Sequence, residues 1–466
     1  MNLMASHAGT QTHGPELLRQ IGLISASALV VSNMIGTGVF GTTGYLAGDL
    51  GSPSVVLWIW VVGAICALLG AFCYSELGVN FPSSGGEFVY LTQAYGPTWG
   101  FMTGWVSFFA GFSGPIALAA LAFSEYLGYF WPALKQTNAQ YKFGPDWFTL
   151  KLGGAQMAAS ALIAVLTAIN LFGVKPVAAI QNVLTATKLA AIFGFIFFGL
   201  AAGTGNWDHF SQPATRWTAR PIELQFFMSL FFIYVSYSGW NAATYVAEEI
   251  RQPARTLPRA LAFGTATVAV IYLLLNIVFI YATPLEKMKG EIAIGSLAAS
   301  NLFGPAVSGV FAALFAVSLT STVNAMVTIG PRVYYAMAKN GAFLALAAHV
   351  HPKWRTPVAA ILLQGVVAVA MTLTPFPDLV LFVGFLLNFF ATATVASLFI
   401  FRKRPGWQKL PAVSFAWPLV PTLFILVGGW MTIFGFTLQP RIAITATVIV
   451  VTGAMLFRFT RSSQDA

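Results

Sequence analysis

Two clusters of helix-spoiling residues interrupt two of the chain's long apolar stretches: Gly36-Thr37-Gly38 in the first, and Ser236-Tyr237-Ser238-Gly239-Trp240 in the sixth. In hydrocarbon a backbone N–H or C=O without a partner costs several kcal/mol, so a break at membrane depth persists only where it lines a cavity or grips a ligand. The surrounding chain is that of a membrane protein. Of its 466 residues 57% are hydrophobic and only 8% charged, whereas a soluble domain carries about 25% charged residues. The formal charge of +10 comes without a basic tract or an aromatic-basic platform. It reads as membrane orientation and argues against nucleic acid as a partner.

A window of about 20 residues finds twelve spans, roughly 22–48, 54–74, 98–130, 156–172, 177–203, 226–247, 261–282, 306–329, 357–373, 379–401, 415–435 and 442–456. With the amino terminus inside, the inner loops and tails collect most of the 24 Lys and Arg residues, among them Arg251, Arg255, Arg332, Lys353 and Arg402. That bias places both termini, 1–21 and 457–466, in the cytoplasm of a cell whose plasma membrane holds the chain. The longest interruption, 330–356, is too short for a soluble core. Only Arg19 is basic before the first stretch, and that stretch exceeds the 7 to 15 or so residues of a signal h-region, so no cleavage is expected. Cys66 and Cys73 lie seven residues apart on one span, about 10 Å if helical, too far for a disulfide.

The two broken spans stand five apart, so the halves that they open, 22–203 and 226–401, have opposite topology. The fold class expected is therefore an all-α membrane protein of twelve transmembrane helices: a five-plus-five inverted repeat with discontinuous first and sixth helices over 22–401, and two additional helices over 402–456. Such an arrangement holds a ligand between the broken helices near the midplane. If the first helix unwinds at Gly36, its outer half begins there and leaves the N–H groups of Thr37, Gly38 and Val39 free at a positive helix end, which suits a carboxylate. The outer half of the sixth helix ends near 235–238 and exposes carbonyls at a negative end, which suits an ammonium. One α-amino acid satisfies both. The bland alternative is that Gly-Thr-Gly is a notch for close helix packing; Gly96, Gly100 and Gly104, spaced by four, do read as a packing face.

At these residues the chain resembles a known family. Asn33-Met34-Ile35-Gly36-Thr37-Gly38-Val39-Phe40 is similar to the first-helix motif of the amino acid, polyamine and organocation transporter superfamily. Pro82-Ser83-Ser84-Gly85-Gly86-Glu87-Phe88-Val89-Tyr90 resembles its inner loop after the second helix. Tyr237-Ser238-Gly239-Trp240-Asn241, followed by Glu248-Glu249-Ile250 and the stretch 253–258, resembles the sixth helix and following loop of the L-type amino acid transporter branch. The resemblance runs from about residue 22 to the tenth span. It implies alternating access, with Ile35, Gly36, Thr37, Gly38 and Val39 around the substrate carboxylate, Val235, Ser236, Ser238 and Gly239 around its amino group, and Phe40 and Trp240 as gates. Several L-type relatives have an aromatic residue where Val235 stands, which implies a looser gate here. Animal relatives bind a heavy subunit through a cysteine between the third and fourth helices; the matching loop, 131–155, has none, so no disulfide-linked partner is expected.

Lys188 lies eleven residues into the fifth span, about 16 Å deep and beyond the roughly 6 Å reach of its side chain to the surface. It must meet polar partners inside the bundle. The segment 181–188 resembles the fifth helix of relatives in which a lysine occupies the place of a sodium ion. That implies an ammonium bridging the unwound first helix and Ser318, Thr320, Ser321 and Thr322 of the eighth. It then either stays charged in place of sodium or sheds its proton during the cycle; a plain helix tie is the third reading. Asn324, Ser318 and Asn388 line a pocket or bridge helices. Glu125, beside Tyr126, Tyr129 and Trp131, reads as part of an interfacial belt, and Glu248 and Glu249, close to Arg251 and Arg255, read as a gate or loop ion pair. No set of residues has metal-ligand spacing, and no nucleophile–base pair or phosphate loop appears, so neither an enzyme nor a cofactor is expected. The function expected is secondary transport of neutral L-amino acids, by sodium-independent exchange. The alternatives are a proton-coupled symporter, a carrier of cationic amino acids or polyamines (which the lack of an acidic residue near either break argues against), and a channel or receptor on the same fold.

Overall fold

The computed structural model describes residues 19–82, 85–145, 149–172, 174–339 and 343–462; most of both expected tails, and Ser83 and Ser84 of the inner-loop motif, lie outside them. Among the described residues, ten helices are long and apolar enough to cross a membrane. Proline repeatedly marks a helix start, where its missing N–H costs nothing. In chain order the helices are α1 (Leu23–Met34), α2 (Thr37–Gly41), α3 (Thr43–Leu50), α4 (Pro53–Asn80), α5 (Glu87–Tyr95), α6 (Pro97–Val106), α7 (Gly114–Leu127), α8 (Gly154–Leu171), α9 (Val174–Ala201) and α10 (Ile222–Tyr237). They continue as α11 (Pro253–Ala282), α12 (Leu285–Met288), α13 (Ile294–Phe303), α14 (Pro305–Lys339), α15 (Val358–Met371), α16 (Phe376–Ala396), α17 (Leu398–Phe401), α18 (Pro411–Ser414), α19 (Leu419–Leu438) and α20 (Pro440–Ser462).

The sixth and ninth spans are the shorter apolar helices α10 and α15, of 16 and 14 residues, against the 20 or so of an uninterrupted span. The first is cut by its own break and the second is bounded by Pro357 and the turn after Met371. The eighth helix does not stop at Ile329: it passes through Pro331 to Lys339, a helix interruption that surrounding helices make tolerable. The stretch 253–258, expected as loop, forms the first turns of α11. The chain is not wholly helical, because Tyr141–Phe143 (β1) and Leu150–Leu152 (β2) pair as an antiparallel hairpin between α7 and α8. Of the glycine face, Gly100 and Gly104 do pack closely, against Thr92 and Met337, but Gly96 has φ +98° and opens space rather than contact.

Packing centres on two long helices. α11 lies against α1 and α4, and α14 against α7 and α9. A methyl at Gly264 would fall 2.7 Å from Val30 Cβ, and one at Gly63 would fall 2.0 Å from Ile233, so small residues set these approaches as they do in lipid. The last two spans are tied to the core by Glu76 of α4, wholly buried. It takes Nε of Arg402 at 2.6 Å, indole Nε1 of Trp407 at 2.8 Å and the N–H of Leu410 at 3.0 Å. Pairing and full hydrogen bonding make a buried carboxylate tolerable.

Candidate functional site

Both breaks are real interruptions. α1 ends at Met34, Ile35 is extended, and Gly36 has φ −146° and ψ −146° before helix resumes at Thr37. It runs on through Thr42 into α3, whose Leu46 N–H donates to Thr42 O. The N–H groups of Thr37, Gly38 and Val39 open this half-helix and so have no partner within it. α10 ends at Tyr237; Ser238 turns out of the helix, Gly239 has φ +96°, and the chain continues as a 3-10 segment over Ala242–Glu249 that kinks at Val246. Only glycine fits at 239, where a methyl would lie 2.9 Å from Asn33 O in a left-handed conformation.

The breaks touch each other. A Cβ on Gly38 would sit 2.2 Å from Ser236 Cα, so the bare side of Gly38 faces the sixth helix and not an open ligand space, which corrects the sequence-based expectation. Ser236 Oγ donates to Phe232 O at 2.7 Å and lies 3.3 Å from Thr42 Oγ1. The carbonyl of Val235 takes the N–H and Oγ of Ser238 at 3.1 and 2.7 Å. Tyr272 of α11, which no local motif points to, places its hydroxyl 2.6 Å from Met34 O and 3.1 Å from Ser236 O. It donates its single proton to one at a time and thereby ties the two helix ends. Tyr272→Phe is expected to lower uptake about five- to tenfold with a fall in Tm, the loss of one buried hydrogen bond of about 1 kcal/mol; unchanged uptake kinetics would deny the tie.

Phe40, buried on α2, has its ring 5.0 Å from that of Phe315 and 6.4 Å from that of Tyr126, whose hydroxyl donates to Phe40 O at 3.0 Å and takes the N–H of Gly295. On the other side of the break, the side of the amino-terminal half of α1, opens a cavity of about 270 Å³. Of the substrate and gate residues assigned from sequence, Ser238, Gly239 and Trp240 line it; Ile35, Gly36, Thr37, Gly38, Val39, Phe40, Val235 and Ser236 do not. Trp240 packs edge-on against Tyr74 at 4.7 Å. Asn33, Ser107 and Glu87 also line the cavity. Ser107 opens a π-helical segment, Ser107–Ser113, that widens the third span ahead of Pro115; such bulges recur at functional sites.

Glu87 overturns the expectation that no acidic residue stands near a break. Its Oε1 accepts from Asn241 Nδ2 at 2.5 Å and its Oε2 from the hydroxyl of Tyr245. Burial pushes its carboxyl above the ordinary carboxylate range, against the pull of those hydrogen bonds. Among the described residues no Lys, Arg or His lies within ion-pair distance of it.

Lys188 is buried, and its ammonium donates to Ile35 O at 2.8 Å and Ser32 O at 3.2 Å. It therefore grips the carbonyls that the first break sets free. The eighth helix is reached differently: Gln181 Nε2 donates to Ser321 Oγ at 3.0 Å and Gln181 Oε1 accepts from Asn324 Nδ2 at 2.8 Å. Thr322 bonds its own helix at Ser318 O, and its methyl would lie 3.3 Å from a Cβ on Gly36. Asn324 and Asn388 bridge helices, the latter donating to Gly428 O at 2.8 Å. Glu125 is not part of a lipid-facing belt: it is buried and accepts from the N–H of Gln136 at 2.8 Å. Glu249 acts through its carbonyl, which takes the N–H of Ile21 at 2.9 Å.

A family model described as amino acid permease matches residues 21–457. The chain is 28% identical to the mouse (Mus musculus) large neutral amino acids transporter small subunit 2 over 98% of its own length and 85% of the relative's. It is 31% identical to the serine/threonine exchanger SteT of Bacillus subtilis (strain 168), covering 91% and 92%, and 28% identical to the mouse b(0,+)-type amino acid transporter 1, covering 97% and 89%. With its broken helices, its buried lysine and this match over nearly the whole chain, the protein belongs to the amino acid permease family.

Proposed function

We propose that the protein carries amino acids across the membrane by alternating access, exchanging neutral L-amino acids without sodium. The observation that carries this reading is the meeting of two oppositely charged helix ends at Gly38 and Ser236, beside a cavity that Ser238, Gly239 and Trp240 of the second break line. When the two half-helices part, the N–H groups of Thr37, Gly38 and Val39 take the carboxylate and the carbonyl end of α10 takes the ammonium. Phe40 closes one side and Trp240 the other. Lys188 fills the place of a coupling cation, with Ser321 and Thr322 on the neighbouring helix. The architecture that fits is twelve spans with the two halves, 22–203 and 226–401, inverted relative to each other, both termini cytoplasmic, in the plasma membrane. The names of the relatives, which include a serine/threonine exchanger and a transporter of large neutral amino acids, support both the substrate class and exchange.

Reconstituted in liposomes, the protein is expected to take up a labelled neutral amino acid saturably, faster when unlabelled amino acid is loaded on the far side, and equally well with sodium replaced. The methyl ester of the same amino acid is expected not to be carried, because it offers the helix end no anion. Carriage of the ester would deny the carboxylate site, and uptake indifferent to internal amino acid would deny exchange.

A further inference from the structure

We propose that Glu87 is a positioning residue of the inner gate: its carboxylate clasps the segment that follows the sixth-helix break, and taking up a proton loosens the clasp. The inference rests on the transport reading above and adds a device to it. The segment Ala242–Glu249 is 3-10 helix with a kink at Val246, a conformation of poorer hydrogen bonding than α-helix and a common site of hinges. What fastens it is the start of α5. Gly86 has φ +50°, and a Cβ there would lie 2.3 Å from the Tyr245 ring, so a bare backbone lets the loop close onto the segment. Glu87 then grips Asn241 Nδ2 and the Tyr245 hydroxyl, while Asn241 Nδ2 and Tyr245 Oη stand 3.2 Å apart. All three line the cavity beneath the break, together with Asn33, Ser238 and Gly239.

The surroundings leave the proton as the natural partner of this carboxylate. The titratable groups facing Glu87 are phenols: Tyr74 from α4, Tyr90 from its own helix, Tyr234 from α10 and Tyr245 from the 3-10 segment. Asn33 from α1 and Leu386 and Phe390 from α16 are neutral. An ionised carboxylate binds its two donors with charge-assisted hydrogen bonds, about twice as strong as neutral ones. Protonation removes that strength and turns one acceptor oxygen into a donor. Burial raises the carboxyl's range, so the clasp takes up its proton at a higher pH than an exposed carboxylate would. The proton comes from water in the cavity and returns to it, so the device sets the rate of inner opening and closing without carrying protons across.

The test is exchange by the reconstituted full chain at saturating amino acid, buffered in steps from about pH 6 to 8. The wild type is expected to speed up at least about threefold toward acid with KM changed less than about twofold. Glu87→Gln is expected to lose the slope and run near the acid rate at every pH, Tyr245→Phe to move the same way, and Glu87→Asp to keep a slope. A ligand-induced rise in Tm shows that each variant is folded and binds. A wild type flat across this range, or a Glu87→Gln variant with the wild-type slope, overturns the inference. Absence of amino acid exchange by the wild type at any pH overturns the transport reading instead.

Discussion

Replacing Lys188 with alanine is expected to cut amino acid uptake on the order of a hundredfold, while replacing sodium in the medium leaves the wild type unchanged. The ammonium donates to Ile35 O and Ser32 O, carbonyls that the interruption at Ile35–Gly36 releases from helical bonding. With the side chain gone, those buried acceptors face apolar wall or a stray water, and each unsatisfied group costs about 1–3 kcal/mol. The lost contacts lie at the end of α1, where the first break begins, so the loss is expected in turnover as well as in Tm. Lys188→Met, which keeps the length of the stem but not the charge, separates packing from charge: it is expected to fail as alanine does. Sodium-stimulated uptake by the wild type would remove the idea that a fixed cation replaces the metal. An active Lys188→Ala would reduce the lysine to a helix tie.

How much of this was readable in the chain follows from how local each signal is. The breaks showed because glycine, serine and threonine cluster inside long apolar stretches, and Lys188 showed because its depth along one helix follows from counting residues. The resemblance of three motifs added the family. What stayed hidden depends on the register between elements distant in sequence. Tyr272 sits in an unremarkable apolar helix, and only the packing of α11 on α1 brings its hydroxyl to both breaks. Glu87 was visible as part of an inner-loop motif, but its place in the cavity depends on α5 folding back onto Tyr245. Glu76 and Arg402 are separated by 326 positions, and no pattern in either neighbourhood announces the pair. The assignments of Ser321 and Thr322 to Lys188 came from resemblance; the structure gives Ser321 to Gln181 instead. The eighth span, expected over 306–329, runs on through Pro331 because neighbouring helices stabilise the interruption that proline makes.

Gly38→Val is expected to abolish transport and to lower Tm by several degrees, and even Gly38→Ala is expected to do so in large part. A single added carbon at Gly38 would fall 2.2 Å from Ser236 Cα and 2.4 Å from Ser236 Cβ. Because the nearest atom belongs to the backbone, no rotamer change relieves the clash; α2 and α10 must separate. Overpacking of this kind costs about 1–3 kcal/mol where side chains give way and more where backbone must move. The same geometry makes a second variant informative. Ser236→Gly in the Gly38→Ala background removes the side chain but leaves Cα in place, so it is expected not to restore uptake. Gly429 of α19 has open space around its Cβ position, and Gly429→Ala is expected to leave stability within about 0.5 kcal/mol of the wild type and Tm nearly unchanged, as substitutions away from packed contacts usually do. If Gly38→Ala were folded and blocked substrate binding alone, the bare side of Gly38 would face the ligand after all, and the contact between the breaks would be the arrangement that substrate displaces. If Gly38→Ala transported normally, the two helix ends would not meet at this residue, and the carboxylate site would have to be sought elsewhere along the half-helix.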